Sequence, residues 1–436
     1  MKNIALVILL ILLTNCGTKS KMLELDSKPE FIPQNLNYKG FTLEESRNYH
    51  KHFVKNNWGE SGYKWSNGGE ISRYIFLHLS EFWPHSVINR SHDIIKLPIE
   101  LREDVASFIT NTRLGKLSLK DYVEKSTLDG VIILHRGKIV FEEYPRMFST
   151  DKHIYFSVSK TFVSTAVAIL EDRGLIDVTK SIDLYFTKLK ESDWEGIPVI
   201  DILDMSSGMN CLFDFEDSKS CFLETWRAYG WPVATDGLED PIDKFRTVSS
   251  QRPSGQIFEY ADINPLILTL LVEKLSGLAF AEFMEKEIWQ KIGAEADALM
   301  LNAAYGRSAT PLGISSRLRD MGRYGMLFSP SGISRNEPVL SEAYIKKIQK
   351  GGRPKLFNHN WPDKFEDGSI VHNTYLWDYI TKDGDFFKSG HAGQGLYVSP
   401  GRDLVIAFFG TMNEDGVENQ MPAICKQLVN AGLFDK

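Results

Sequence analysis

A serine and a lysine three residues apart are the residues of this chain whose types and spacing most directly suggest chemistry. Ser157 and Lys160 stand at the start of a segment with apolar residues at helical spacing, which Gly174 could end. Positions i and i+3 of a helix share one face, so the amine could act on the hydroxyl. Free N–H groups at a helix N-terminus also favour the negative charge of acyl transfer. The pair suggests a nucleophilic serine, although a capping serine followed by a solvated lysine also fits.

Composition bounds the class of protein. The chain has 436 residues, 43% hydrophobic and 12% aromatic, which is enough to bury a large core and excludes disorder for most of its length. The formal net charge is -7, and no run of lysine and arginine stands out. We therefore expect no nucleic-acid partner.

The first 20 residues differ from the rest of the chain. Lys2 precedes an aliphatic run over residues 4–13, shorter than the roughly 20 apolar residues of a membrane span. This pattern predicts a signal peptide over residues 1–15. Cys16 follows it and resembles the lipidated cysteine of bacterial lipoproteins, although Asn15 departs from the small residue usual before it. An ordinary signal peptide with an incidental cysteine is the alternative.

From this pattern we expect a lipid anchor on Cys16 and a polar tether over residues 16–40. The remaining residues 41–436 would form one globular domain. The protein would lie in the cell envelope, anchored to a membrane and facing the periplasm or the exterior.

The other cysteines bear on the same compartment. An oxidising environment permits disulfides, and Cys211 and Cys221 could close a short loop or remain two buried thiols. Cys425 lies in the apolar pattern of a C-terminal helix and is expected in the core. His50 and His52 fit a surface loop better than a metal pair, and we expect neither a metal nor a cofactor.

The order of elements predicts an α+β fold. Residues 130–144 and 395–409 each indicate a β-hairpin, and residues 264–274, 280–292 and 419–433 indicate helices. Residues 212–247 are aromatic, charged and aperiodic, which suggests a lid or an insertion. Strands near both ends with helices between them predict one antiparallel sheet flanked by helices, with an inserted all-helical lobe.

Two further motifs strengthen the interpretation of Ser157 and Lys160 as catalytic residues. Tyr260 and Asp262 stand in a loop just before a predicted helix. His391, in the sequence Gly-His-Ala-Gly-Gln, stands immediately before the C-terminal hairpin. Three short motifs in this order are far less expected by chance than one.

Together they are similar to the Ser-x-x-Lys, Tyr-x-Asn and His-x-Gly motifs of penicillin-recognising serine hydrolases. The chain resembles the class C β-lactamase family, and within it the 6-aminohexanoate-oligomer hydrolase and esterase-like branch. The resemblance runs from about residue 53 to the C-terminus and includes residues 137–144, 202–209 and 293–298. It implies a β-lactamase/transpeptidase-like fold, which agrees with the predicted α+β organisation.

The resemblance also implies roles for individual residues. Ser157 would be the acylated nucleophile, and Lys160 and Tyr260 would form the base relay. His391 would hold Tyr260 and the substrate electrostatically. The backbone N–H groups of Ser157 and Gln394 would form the oxyanion hole.

Two positions depart from the family pattern. Asp262 stands where β-lactamases favour asparagine, and an ionised carboxylate only accepts hydrogen bonds, so we expect an electrostatic substrate-binding role there and doubt β-lactam recognition. Lys388 begins a Lys-Ser-Gly sequence that imitates Lys-Thr-Gly directly before His391. We favour His391 for the third motif, because the residues after it fit the family register, and expect Lys388 to be a nearby solvated charge.

The leading hypothesis is an exported serine hydrolase that cleaves a small-molecule amide or ester through an acyl-serine. A β-lactamase or a D-Ala-D-Ala carboxypeptidase is the nearest enzymatic alternative. A catalytically silent binding protein on the same fold, or a scaffold lipoprotein, belongs to a different class of function. Four intact candidate residues, Ser157, Lys160, Tyr260 and His391, favour the enzyme.

Overall fold

The computed structural model describes residues 64–231, 239–333 and 338–435. The predicted signal peptide, Cys16, the tether, His50 and His52 lie outside these residues. Within them, no helix combines the length and the apolar character that a membrane crossing requires.

The strands of the described residues form three antiparallel sheets. In chain order they are β1 (His85–Ile88), β2 (Ile109–Thr112), β3 (Gly115–Ser118), β4 (Leu128–His135), β5 (Lys138–Glu143), β6 (His153–Ile154), β7 (Ala298–Leu301), β8 (Ile314–Ser316), β9 (Ile370–Thr374), β10 (Trp377–Thr381), β11 (Phe386–Gly390), β12 (Gln394–Ser399) and β13 (Leu404–Gly410).

The α-helices surround these sheets and fill the middle of the chain. They are α1 (Gly69–Leu77), α2 (Glu103–Ala106), α3 (Leu119–Lys125), α4 (Lys160–Asp172), α5 (Val199–Leu203), α6 (Cys221–Tyr229), α7 (Ile242–Phe245), α8 (Ile263–Ser276), α9 (Phe280–Met284), α10 (Leu318–Met326), α11 (Pro330–Ile333), α12 (Glu342–Lys350) and α13 (Met421–Asn430).

The main sheet has seven strands in the order β5-β4-β13-β12-β11-β10-β9. The two predicted hairpins are β4–β5 and β12–β13, and they join because β13 pairs with β4. The expectation of one sheet built from both ends of the chain is confirmed. Strands β9 to β11, which extend the sheet, were not predicted as strands from the sequence.

Helices cover both faces of this sheet. On one face, α3 and α13 pack on a core that includes Val131, Tyr379, Phe387 and Phe408. On the other face, α10 lies flush against the strands. A Cβ built on Gly325 would be 2.5 Å from the Val405 side chain, so the absence of a side chain permits this close approach.

A smaller sheet, in the order β1-β7-β8-β6, lies outside the sequence prediction. It leads into a 3₁₀ turn over Phe156–Ser159 that continues directly as α4. The Tyr155 amide donates to the Ile314 carbonyl (2.8 Å), and the Ser159 hydroxyl accepts from the Ile314 amide (3.1 Å). This sheet therefore fixes the 3₁₀ turn from both ends.

A buried ionic network joins distant segments around β4. The Asp129 carboxylate accepts from Arg73 Nε (2.7 Å), His153 Nε2 (3.2 Å) and Thr411 Oγ1 (2.6 Å). Arg73 and these hydrogen bonds outweigh desolvation and lower the pKa of Asp129 to about 2. The carboxylate thus joins α1, β4, β6 and the residue after β13.

The described parts of the segment over residues 212–247, which are residues 212–231 and 239–247, include regular structure that the aperiodic sequence did not suggest. It contains α6 and α7, and a disulfide joins Cys211 to Cys221 at the start of α6. Of the two open alternatives for these cysteines, the disulfide is the one observed. Cys425 is buried in the core, as expected.

Candidate active site

Ser157 lies in a strained turn that aromatic side chains hold in place. Phe156, immediately before it, has a φ of 46°, a region that non-glycine residues rarely adopt. Its ring stacks on Trp65 (5.4 Å between centroids) and meets Phe76 edge-on (5.0 Å). Ser157 itself is half-buried, whereas its neighbours in the turn are buried. The turn thus presents one hydroxyl from an otherwise packed element.

The Lys160 side chain is almost fully buried, and its ammonium meets three acceptors. It donates to Ser157 Oγ (2.9 Å) and to the Pro311 carbonyl (2.8 Å), and it pairs with Asp262 Oδ1 (3.0 Å). The contacts with Ser157 and Pro311 are hydrogen bonds, whereas the contact with Asp262 is an ion pair. The i and i+3 geometry expected for Ser157 and Lys160 is therefore present.

Asp262 is committed to internal partners. Besides Lys160, its carboxylate accepts from the indole Nε1 of Trp226 at 3.3 Å, and the residue is 4% exposed. Its carboxylate therefore lies directly beside the Lys160 ammonium, and the substrate-binding role expected for Asp262 stays a prediction.

Tyr260 lies in the loop before α8, between two cations. The ammonium nitrogens of Lys160 and Lys388 are 5.1 and 4.7 Å from the centre of its ring. Burial, followed by the negative charges of Asp378 and Asp262, raises the pKa of Tyr260 well above its usual value, and a hydrogen bond with Ser157 opposes this. The phenol is therefore neutral at ordinary pH.

The cation next to the Tyr260 hydroxyl is Lys388, which corrects the sequence analysis. Lys388 is fully buried, and its Nζ donates to Tyr260 Oη at 3.2 Å and to Asp378. His391 is exposed, and its Nε2 lies 2.8 Å from the Ser66 carbonyl. The reason is strand geometry: Lys388 lies within β11, whereas His391 lies past its end. The expectation of a solvated Lys388 was wrong, and His391 does not hold Tyr260.

Burial sets the electrostatics of Lys388. Desolvation lowers its pKa to about 8, with Asp378 opposing and the charge of Lys160 adding to the fall. Lys388 therefore titrates near neutral pH, directly beside Tyr260.

The Gln394 amide is not directed at Ser157, which corrects a second expectation. The Ser389 amide donates to the Asp378 side chain, on the side of β11 that faces away from β12. Because successive amides of a strand point to opposite sides, the Gly390 amide faces β12, where Gly390 is paired with Gln394. The Gln394 side chain bonds to Gly410 in β13. The Gln394 side chain therefore links β12 to β13. After Ser389, the next amide that points away from β12 is that of His391.

Glycine at position 390 lets β11 approach the serine turn. A Cβ built there would be only 2.5 Å from the Tyr155 carbonyl oxygen, closer than real contacts allow. The end of β11 thus lies directly beside the turn that carries Ser157.

Aromatic rings that stack on Tyr260 form one wall of the site, called here the aromatic wall. The Tyr260 ring stacks on Phe213 (5.7 Å between centroids) and on Trp361 (5.2 Å). Phe213 and Phe215 lie in the loop closed by the Cys211–Cys221 disulfide and are 43% and 62% exposed. The sequence analysis missed Trp361, Asp378 and the Pro311 carbonyl, which come from segments without a local motif.

No metal site accompanies these groups in the described residues. None of the groupings of His, Cys, Asp and Glu found there could hold a metal ion. The groups that the fold brings together here are a hydroxyl, a phenol, two lysines and two carboxylates.

Comparisons with known proteins agree with this fold. Residues 120–424 match the family described as Beta-lactamase. The 6-aminohexanoate-dimer hydrolase of Paenarthrobacter ureafaciens is 27% identical over 339 residues, which cover 77% of this chain and 84% of that protein.

Solved structures show the same fold. A Bacillus anthracis protein provisionally assigned as a 6-aminohexanoate-dimer hydrolase has a TM-score of 0.68 at 20% identity, covering 84% of this chain and 95% of its own. A mutant class C β-lactamase has a TM-score of 0.53 at 15% identity, covering 72% and 95% of the two chains.

The fold and the matched sequence define the class of this protein. The chain belongs to the beta-lactamase family, whose model spans well over half of its length. It is an enzyme of the serine hydrolase class, with the β-lactamase and transpeptidase-like α+β fold and an amide hydrolase among its relatives.

Proposed function

We propose that this protein is an exported hydrolase that cleaves linear amides or small esters through an acyl-serine at Ser157. The observation that carries the proposal is the hydrogen bond between Lys160 Nζ and Ser157 Oγ, beside Tyr260 and Lys388. A hydroxyl flanked by a phenol and two amines is an activated nucleophile.

In acylation, the Ser157 oxygen would bond to the acyl carbon. Its proton would pass to Tyr260 Oη while the phenol proton moves to the neutral amine of Lys388, the group whose pKa is about 8. Lys160, which donates to Ser157 Oγ and to the Pro311 carbonyl and pairs with Asp262, would steady the serine oxygen. This assigns to Lys388 part of the base role expected for Lys160.

The leaving group would take the proton back along the same route as its bond to the acyl carbon breaks. Water would then attack the acyl-serine, giving its proton to the relay, and Ser157 would regain a proton as the acid leaves. The backbone N–H groups of Ser157 and His391 are the candidate oxyanion hole, because β11 lies against the serine turn. Each such donor contributes about 2.7–4 kcal/mol in other enzymes.

The substrate class is supported by the aromatic wall and by one relative. Phe213, which stacks on Tyr260, and Phe215, which stacks on Phe213, offer exposed apolar surface that suits an unbranched acyl chain. The relative from P. ureafaciens is named for hydrolysis of 6-aminohexanoate dimer. A linear amide of similar length is our first candidate.

A fluorophosphonate probe tests the nucleophile. Such probes should label the wild type, and Ser157→Ala should abolish labelling. Ser159→Ala, which changes a buried serine of the same turn, should retain it if the variant is folded. Persistent labelling of the Ser157 variant would refute the assignment, and an unlabelled wild type would indicate a binding protein.

A β-lactamase or D-Ala-D-Ala carboxypeptidase is the second candidate. The observation in its favour is the buried Lys388 followed by Ser389 at the end of β11, which matches a Lys-Thr-Gly strand. Turnover of p-nitrophenyl esters, linear amide oligomers, nitrocefin and D-Ala-D-Ala peptides separates the candidates. We expect the first two to be cleaved much faster.

A further inference from the structure

The Asp378 carboxylate is a buried charge that the proposed reaction does not use. It lies in β10 and is 2% exposed. One oxygen pairs with the Lys388 ammonium, and the other accepts from the Ser389 amide (3.1 Å) and hydroxyl (2.8 Å). An ammonium, a hydroxyl and an N–H thus converge on one carboxylate.

This convergence is the chemistry of a carboxylate-binding site. The strand end formed by Lys388 and Ser389 can bind a carboxylate, and the one that it binds is internal. The charges of the site also pair one to one, since Lys160 faces Asp262 and Lys388 faces Asp378. A second carboxylate entering here would be a buried anion without a free counter-charge.

We propose that Asp378 is a specificity-determining residue that excludes substrates with a carboxylate next to the scissile bond on the leaving-group side. Tyr260 and Lys388 face the leaving group in the proposed reaction, so a carboxylate one carbon from the leaving atom would meet donors that Asp378 already holds. β-Lactams and D-Ala-D-Ala peptides carry such a group. Linear amides with a remote carboxylate, and neutral esters, do not. This inference rests on the proposed function.

A matched pair of thioesters tests the inference. The acyl group is hexanoyl in both, and the leaving group is either thiolactate or thiolactamide, which differ only in the carboxylate. Released thiol gives kcat/KM for each. The wild type should prefer the thiolactamide ester by at least about tenfold, because displacing a charged hydrogen-bonded group costs that much or more.

Asp378→Asn should raise the relative kcat/KM of the thiolactate ester by about tenfold or more, through a lower KM. Both thioesters are assayed over the same pH range, because removal of Asp378 lowers the pKa of Lys388 further from about 8. Asp262→Asn is the matched control. It removes the carboxylate that faces the other lysine, and it should slow both thioesters without changing their ratio.

The outcomes are distinguishable. Equal use of the two thioesters by the wild type, or an unchanged ratio in a folded Asp378→Asn, would overturn the inference. If that variant does not fold, Asp378→Ser replaces it, because the smaller side chain leaves room for an incoming carboxylate. The ratio of the two thioesters in this variant and in the wild type then tests the inference. Failure of the proposed function would appear separately, as a wild type that neither cleaves the neutral thioester nor reacts with the fluorophosphonate.

Discussion

Lys388 gives the proposed active site a group that titrates close to physiological pH. Its ammonium lies 3.2 Å from Tyr260 Oη, and burial lowers its pKa to about 8. The neighbouring phenol titrates far higher, because burial and two carboxylates oppose its ionisation. Of these two groups, Lys388 is the one that can accept a proton at ordinary pH.

The pH profile should therefore follow Lys388. In wild type, kcat/KM for a neutral ester should rise with pH and level off above about 8, as the amine loses its proton. Lys388→Arg keeps the charge but cannot deprotonate, so it should lower the plateau at least ~100-fold and remove that inflection. An unchanged profile in the arginine variant would exclude Lys388 from the relay.

At the residue scale, the sequence located what lies within short motifs. Ser157 and Lys160 meet because three residues make one helical turn, and Tyr260 stands in a recognisable loop. The third cation was assigned wrongly, because Lys388 and His391 begin overlapping motifs and only the end of β11 separates them. Asp378 and Trp361 had no local signal, since they reach Tyr260 and Lys388 only through the tertiary fold.

At the element scale, the loop that carries Phe213 depends on its disulfide. The bond between Cys211 and Cys221 closes a loop with a sequence separation of 10 residues, and Phe213 stacks on Tyr260 from inside it. A loop of this size contributes about 2–3 kcal/mol by restricting the unfolded chain. The same constraint holds one wall of the proposed substrate site.

The double variant Cys211→Ser, Cys221→Ser should lower the free energy of unfolding by about 2–3 kcal/mol. It should also raise KM more than it lowers kcat, because Phe213 lies beside the proton relay without joining it. Urea unfolding and ester kinetics measure both effects. Dithiothreitol should reproduce them in wild type and leave the variant unchanged; an equal response of the two proteins would contradict the prediction.

Elements with a strong period were predictable, and short ones were not. Both hairpins and the closing helix α13 were correct, because several alternating or helical positions support each of them. Strands β1, β6, β7 and β8 have two to four residues, too few to show a period. Their sheet is nevertheless what fixes the Ser157 turn.

At the scale of the whole molecule, the main sheet brings together site residues from distant parts of the described domain. Ser157 follows β6, whereas Lys388 comes from β11 more than 200 residues later. The Asp129 network likewise joins α1 and β4 to the residue after β13, which also lies more than 200 residues further along the chain. The sequence predicted this closure because the two hairpins were recognisable, but not the ionic network, whose members are isolated polar residues.

The disulfide also bears on where the protein works. Structural disulfides persist in oxidising compartments and are rare in the cytosol. The pair of Cys211 and Cys221 therefore supports the proposed export, independently of the N-terminal sequence. It does not bear on how the protein is retained, for which Cys16 is the only candidate that we propose.

We predict that the full-length protein expressed in a bacterial host incorporates labelled palmitate and sediments with membranes. Cys16→Ser should abolish the label and release the protein from the membrane fraction, because one residue carries the whole anchor. Cys425→Ser is the matched control, since Cys425 is a free thiol buried in the core and should not affect labelling. Both variants should keep wild-type esterase activity if folded. A wild type that is exported without the label would show that the signal is an ordinary one and that Cys16 is incidental.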